Sequence, residues 1–480
     1  MEAAGKLPQN GVAGLTSKTN QPGVLATDAA AVEHWCEIGR PQVHGHDFSC
    51  LAFLPHGTLA ASYAYACGSE EKVVRVMEAP RVFLDTLDSL QPLAGPLHPA
   101  ATPATKEAAG EAGGSPQGPG SGPWAGQAGV PGRRARGYGA SVSALGLTNK
   151  AMEQGEGQGD SALGAGSGLQ LPGVGAGGYE DGPDFAPHAA PCAVSTPPLE
   201  EHLAQNTLWP EGHKLYGHGD LVYCAAASPD GALLASACVA KASPRAAAVW
   251  VWDVAGDTWR GVAQLEAHTL TVTQLAWSHS GRWLASCSRD RSWAVHQRRS
   301  CAESASGPAP HSFRLVHRQK AAHARIIWGC AWSNDDRMLA TGARDGLIKI
   351  WDTAPLAAAA DDSSLCADWT TPCELPPKLP NAPLLTLPPF PSAVTALAFM
   401  PGAASPHVLA VGLEDGALQL WSIPSQSSVE GPARCLWRSD PLNGHAAQVS
   451  SVAWRDCGDC CQLATGSHDH SVRVFTVSLQ

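Results

Sequence analysis

The chain has 480 residues, with 32 Lys and Arg against 43 Asp and Glu, for a formal net charge of −11. A mildly acidic protein is not a bulk polyanion binder, so only a local basic patch could meet nucleic acid. No apolar run approaches the ~18 uncharged residues that span a bilayer, and no membrane contact is expected. Sixteen Trp stand against 6 Tyr and 8 Phe, beside 50 Gly and 38 Pro. That balance leans towards short strands and tight turns. The 15 cysteines are odd in number and scattered, and Met1–Asn20 has no apolar secretory core. Free thiols in a reducing compartment are the expectation.

In chain order, residues 1–30 have little packing potential and are expected to be disordered. Residues 31–92 contain Glu33 to Val43, read as an outer strand, and then a weak repeat copy ending YACGSEEKVVRVM. Residues 93–197 hold 24 glycines and 12 prolines, the composition of a largely disordered insertion. Within it, Ser141 to Leu147 is more apolar and is expected to dock while its flanks stay loose.

Residues 198–480 repeat themselves. LLASAC from Leu233, LASCSRDRSWAVH from Leu284, LATGARDGLIKIWD from Leu339, LAVGLEDGALQLW from Leu409 and LATGSHDHSVRVF from Leu463 share one design. An acidic turn residue stands six positions before a large side chain, as in Asp345 with Trp351 and Asp415 with Trp421. Upstream of most copies sits a histidine, namely His46, His218, His268, His323 or His445. Period-two alternation reads as strand, and Asp followed by Gly, Arg or His reads as a hairpin turn. Four such strands cannot bury both faces alone, whereas radial stacking does so.

These residues resemble the WD-repeat family, with Trp252-Asp253 and Trp351-Asp352 retaining its name-giving dipeptide. The expected fold is all-β, a propeller of about six four-stranded blades. The words IGRPQVHGHD (38–47), EEKVVRVMEAPRVF (70–83), ALGLTNKA (144–151), EEHLAQNTLWPEGHKLYGHG (200–219), HTLTVTQLAWS (268–278), SRDRSWAVH (288–296) and HARIIWGCAWS (323–333) are narrower. They resemble, in order, the second propeller of the normally double-propeller Elongator subunit 2 family. The match would leave out the first propeller and the opening blade of the second. It implies a non-catalytic scaffold subunit supporting C5 modification of wobble uridine in tRNA. It also implies partners in the large scaffold subunit and the catalytic subunit, and residence in cytoplasm and nucleus. Ring closure is expected from Glu33 to Val43 pairing beside the last blade.

His323, Thr341, Asp345 and Trp351 look like a hydrolase constellation as a list. In a WD repeat they form a buried hydrogen-bond chain from Asp to His to hydroxyl to indole. Degraded copies are His268, Ser286 and Asp290 with His296 for Trp, and His445, Thr465 and Asp469 with Phe475. Val411 breaks the chain before Trp421, and residues 241–245 replace the turn Asp before Trp252. No catalytic group, cofactor or metal is expected. Cys457, Cys460 and Cys461 lack a second ligand pair for zinc. Gly164-Ala165-Gly166 and Gly173-Val174-Gly175 neither follow a strand nor open a helix. Arg133, Arg134 and Arg136 read as a solvated linker run. Arg289, Arg291, Arg325 and Arg344 are expected on one face of two adjacent blades, where their forks suit an anionic partner, either RNA backbone or an acidic protein. Alternatives are a generic interaction platform such as a ubiquitin-ligase substrate receptor, or a direct RNA-binding propeller. Val254 and Thr353, which follow the two Trp-Asp pairs, begin no W-D-x-R motif and count against the receptor.

Overall fold

A computed structural model describes residues 25–27, 37–41, 47–55, 63–69, 71–94, 137–142, 149–152, 196, 198–200, 202–203, 207–241, 243–255, 259–299, 311–356, 379–402, 406–424, 432–457 and 460–478. They form a six-bladed β-propeller of four-stranded antiparallel blades.

Strand β1 (Leu25–Thr27) belongs to the last blade. Blade 1 begins with β2 (Phe48–Pro55), β3 (Tyr63–Ser69) and β4 (Val73–Glu78). The chain then leaves it through helix α1 (Arg81–Ala94) and a hairpin of β5 (Gly139–Val142) and β6 (Asn149–Met152). It returns as the outer strand β7 (Glu211–Tyr216). Blade 2 is β8 (Val222–Ala227), β9 (Leu233–Cys238), β10 (Val249–Asp253) and β11 (Arg260–Leu265). Blade 3 is β12 (Val272–Trp277), β13 (Trp283–Ser288), β14 (Trp293–Arg299) and β15 (Ser312–Gln319). Blade 4 is β16 (Ile327–Trp332), β17 (Met338–Ala343), β18 (Ile348–Asp352) and β19 (Leu385–Thr386). Blade 5 is β20 (Val394–Phe399), β21 (His407–Leu413), β22 (Leu418–Ile423) and β23 (Arg434–Arg438). Blade 6 is β24 (Val449–Asp456), β25 (Cys461–Ser467) and β26 (Val472–Ser478), with β1 outermost.

Three boundaries differ from the sequence reading. The insertion interrupts blade 1 between its third and fourth strands, so residues 198–216 do not start a new blade. The strand on β26 is Leu25–Thr27, within the segment expected to be disordered, and Glu37–Pro41 contains no strand. Pro41 instead accepts the Trp209 amide at 2.8 Å, and its carbonyl holds Asn149 Nδ2 at 3.0 Å. That hydrogen bonding fixes residues 37–41 against the outer side of blade 1. Asn149 also reaches the Trp209 carbonyl at 2.9 Å, which ties the hairpin down. Within residues 93–197 only Leu93, Ala94, the hairpin and its immediate lead-in, and Thr196 are described. Both glycine runs and Arg133, Arg134 and Arg136 lie outside the described residues, as does His46.

Every blade carries the same irregularity. The pairing of the first two strands shifts register one residue after the innermost strand begins, at Ser49, Tyr223, Thr273, Trp328, Thr395 and Ser450. Such a bulge increases twist where strands converge on the axis. The core is not central. Five apolar clusters lie between successive blades from 1–2 to 5–6. Sheet faces stacked in this way bury residues that a lone blade would leave wet.

Candidate interaction face

Blade 4 shows the full buried chain. Its histidine, His323, sits in the loop entering β16, and Asp345 in the turn between β17 and β18. His323 Nδ1 lies 3.3 Å from both Asp345 oxygens, and Nε2 lies 2.9 Å from Thr341 Oγ1. The Trp351 indole donates to the same hydroxyl at 2.8 Å. One proton order satisfies every group: indole N–H to hydroxyl, hydroxyl to Nε2, and Nδ1–H to carboxylate. Asp345 also accepts the Ala324 and Leu347 amides at 3.0 and 3.1 Å. Burial would raise its carboxyl, but the His323 bond and charge with these amides hold it below the usual range. Each polar group is therefore committed to structure, which leaves no free nucleophile in this hydrogen-bond chain.

The other blades vary the design. In blade 3, His268 Nε2 lies 2.8 Å from Ser286 and Nδ1 lies 3.0 Å from Ser292. Ser292 bonds Asp290 at 2.5 Å, so a hydroxyl bridges imidazole and carboxylate beside their direct approach of 3.4 Å. Blade 6 repeats the serine with His445, Thr465 at 2.8 Å and Ser471 at 3.0 Å, but there Nδ1 also reaches Asp469 directly at 3.2 Å. Sequence reasoning missed Ser292 and Ser471, although both stand two residues after the turn Asp. Blade 5 replaces the missing hydroxyl with Gln419, which accepts the Trp421 indole at 3.0 Å. In blade 2, Ser236 meets His218 Nε2 at 2.8 Å and the Trp252 indole at 2.7 Å, but Nδ1 of His218 is buried without a partner. Burial pushes this imidazole down to about 4.

The carboxylates staple entry loops to turns, which fixes the positions of the four arginines. Asp290 accepts the Thr269 amide at 3.0 Å, and the Ala322 amide bonds the Arg291 carbonyl at 2.9 Å. The Arg344 amide bonds the Ile326 carbonyl at 2.9 Å. Arg289, Arg291 and Arg344 in turns, and Arg325 in an entry loop, thus share one end of blades 3 and 4. All four are exposed. Arg291 takes φ +66°, the left-handed turn position. The Arg289 guanidinium lies 5.7 Å from the Tyr223 ring centroid and 5.8 Å from that of Trp328. Those rings are the bulge residues of blades 2 and 4, so they flank the Arg289 guanidinium. None of the four makes an ion pair with a described residue, whereas Arg318, which the sequence reading missed, lies 3.3 Å from Asp290.

The three clustered cysteines fall where β24 turns into β25, with the Cys457 amide on the Cys460 carbonyl at 3.0 Å. Among the described residues no three His, Cys, Asp or Glu side chains are placed to hold a metal. His470 is exposed with φ +63°.

The WD domain, G-beta repeat family matches residues 209–241, 259–296, 314–352 and 435–476. The structure is a six-bladed β-propeller, and those segments are WD repeats within it. The matches take in the inner strands of blades 2, 3, 4 and 6, where a histidine meets a hydroxyl; of blade 5, with Val411, and blade 1, with Cys67, they take in only the outer strand. The propeller is also similar to curated proteins named Elongator complex protein 2. It is 34% identical over 455 residues to that of Arabidopsis thaliana, covering 92% of this chain and 46% of the relative. For Dictyostelium discoideum the identity is 34% over 489 residues, covering 92% and 46%. For Homo sapiens it is 28% over 464 residues, covering 92% and 48%. The propeller spans about half the length of these relatives.

Proposed function

We propose that this propeller is a non-catalytic scaffold subunit of the Elongator complex and supports C5 modification of the wobble uridine in tRNA. The observation that carries the reading is similarity to Elongator complex protein 2 along 92% of the chain. A propeller suits the role because its loops leave both ends of the ring free for partners while the blades stay rigid. The His–Asp pairs of the repeats, which resemble catalytic dyads, are occupied by their own hydroxyls and amides. On this reading the partners are the large scaffold subunit and the catalytic subunit, in cytoplasm and nucleus. The exposed arginine end of blades 3 and 4 is the natural anionic contact, to RNA backbone or to an acidic protein surface.

Native purification of the tagged chain, with nucleoside analysis of tRNA after loss of its gene, tests the proposal. Co-purification of a large complex and loss of C5-modified uridine are expected. Unchanged nucleosides with no complex would overturn it and leave a general interaction platform. For the arginine end, the quadruple Arg→Ala variant should bind the purified complex or tRNA more weakly and with a flatter salt dependence. Unchanged affinity and slope would remove that contact.

A further inference from the structure

The described cysteines are all free thiols, and they divide by burial. Cys67, Cys224, Cys238, Cys287 and Cys330 are buried inside the blades. Burial alone pushes the half-buried Cys50 up to about 12, and burial first of all does the same to Cys67. Such thiols form little thiolate and are inert. Cys435 is exposed on β23, and its thiol donates to the Trp437 carbonyl at 3.3 Å. Cys457, Cys460 and Cys461 differ from all of these. They stand together where β24 turns into β25, with Cys457 exposed and the other two half-buried.

The register of this hairpin sorts the three. The ladder runs through Arg455 with Gln462 and Asp456 with Cys461. One step further out, the Cys457 amide bonds the Cys460 carbonyl at 3.0 Å, so these two residues face each other. Backbones bonded in this way hold their Cα atoms about 5.5 Å apart. A disulfide spans roughly 4.4–6.8 Å between Cα atoms, so the pair is within reach of one. Paired residues share a face of the sheet, and neighbours along a strand alternate. Arg455, Cys457 and Cys460 therefore belong to one face, and Asp456 and Cys461 to the other. Arg455 is exposed. Burial, then the Asp456 carboxylate and the two nearby sulfurs, push the Cys461 thiol up, which keeps it protonated near neutral pH. The cation thus lies beside Cys457 and Cys460, and the carboxylate beside the cysteine left over.

We infer that Cys457 and Cys460 form a reversible dithiol modification site, oxidised to an intramolecular disulfide by small anionic disulfides of the glutathione type. The Cys457 thiolate attacks one sulfur of the reagent. The reagent's S–S bond breaks, and one small thiolate leaves and takes up the proton that Cys457 lost. Cys460 gives its proton to water, and its thiolate attacks the Cys457 sulfur. The mixed disulfide breaks, and the second small thiolate leaves and is protonated in turn. Two protein thiols are oxidised to one disulfide, and one small disulfide is reduced to two thiols. Excess small thiol runs the same steps backwards. Arg455 draws the reagent's carboxylates to the face that carries Cys457. The β24–β25 turn lies at the opposite end of blade 6 from its entry loop and its β25–β26 turn. Oxidation there leaves the arginine end of the ring untouched.

The test treats the reduced full chain with oxidised glutathione, blocks the remaining thiols with N-ethylmaleimide and reads the digested peptides by mass spectrometry. The peptide holding all three cysteines should become two hydrogens lighter and carry a single maleimide, on Cys461. Dithiothreitol should restore three free thiols. Cys460→Ser should stop at a glutathione adduct on Cys457, whereas Cys461→Ser should form the disulfide at the parent's rate. Arg455→Ala should slow the reaction with oxidised glutathione about threefold and leave that with the neutral hydroxyethyl disulfide unchanged. A maleimide on Cys457 or Cys460 of the lighter peptide would overturn the inference, since the disulfide would then involve Cys461. So would a glutathione adduct that persists on Cys457 of the parent, a disulfide between two copies, or a peptide that does not react. Equal rates for the parent and Arg455→Ala with oxidised glutathione would overturn the preference for an anionic reagent.

Discussion

In blade 4, Nδ1 of His323 faces Asp345, whereas in blade 2 the same atom of His218 faces nothing. This difference sets a pH dependence. Burial pushes His218 down to about 4, and burial with the charge of His268 does the same to His296. An imidazole in the unfolded chain titrates near 6.5, so the unfolded state takes up its proton first as pH falls. Stability is then complete above about 6.5 and is lost progressively towards about 4, by about 3 kcal/mol for each histidine. Urea midpoints at pH 7.5 and 5 should show the fall, and His296→Phe should reduce it; equal falls in both proteins would refute the assignment. Phe is tolerable there because Phe475 fills the equivalent place in blade 6. Asp345 acts in a separate window. Its folded value is depressed, so its contribution persists above about 3.8 and is lost only below it. Thr341→Val tests the chain itself. It orphans both His323 Nε2 and the Trp351 indole and should cost about 1–3 kcal/mol for each, measured by denaturant unfolding. The His, hydroxyl, Asp and Trp positions were legible because one spacing recurs. Gln419 was not, because it solves the same problem from the adjacent strand and breaks the spacing.

At the scale of elements, the innermost strands were legible from alternation, but what joins them was hidden. Trp277, Trp332 and Trp454 each mark such a strand and donate the indole to the preceding blade, to Ala226, Ala276 and Ala398 carbonyls at 3.1, 3.0 and 3.1 Å. The recurring Ala-Trp pair was the available signal; alternation alone marks it only as buried. Second-strand glycines were equally opaque, since their requirement lies in the neighbouring blade and not in their own turn. Gly412→Ala should therefore destabilise by about 1–3 kcal/mol through overpacking against Val449. Val449→Ala in the same chain should recover part of that loss, and a double-mutant cycle with no coupling would show that the two blades do not meet there. Helix α1 went unforeseen although Pro80 precedes it, a residue suited to helix starts, and its carbonyl accepts the Phe83 amide at 3.2 Å. The Gly- and Pro-rich residues that follow masked a signal only 14 residues long.

At the scale of the molecule, repetition made the architecture legible, and the ends of the ring were where it failed. A repeat states what each blade needs from its neighbours but says nothing about which segment completes the last one. Glu33 to Val43 had the better strand composition, yet Leu25–Thr27 takes the place beside β26, with Leu25 opposite Ser478 and Thr27 opposite Thr476. Residues 37–41 are instead committed to Trp209 and Asn149 on the outer side of blade 1. A three-residue strand adds few hydrogen bonds, so its effect is local: it covers an edge that would otherwise expose unpaired amides. Removal of residues 1–27 should therefore leave the six blades folded and strip hydrogen-exchange protection from Thr476 to Ser478. Protection in β13 and β17, each held between two partner strands, should not change. Loss of protection throughout the ring would show instead that this short strand holds all six blades together.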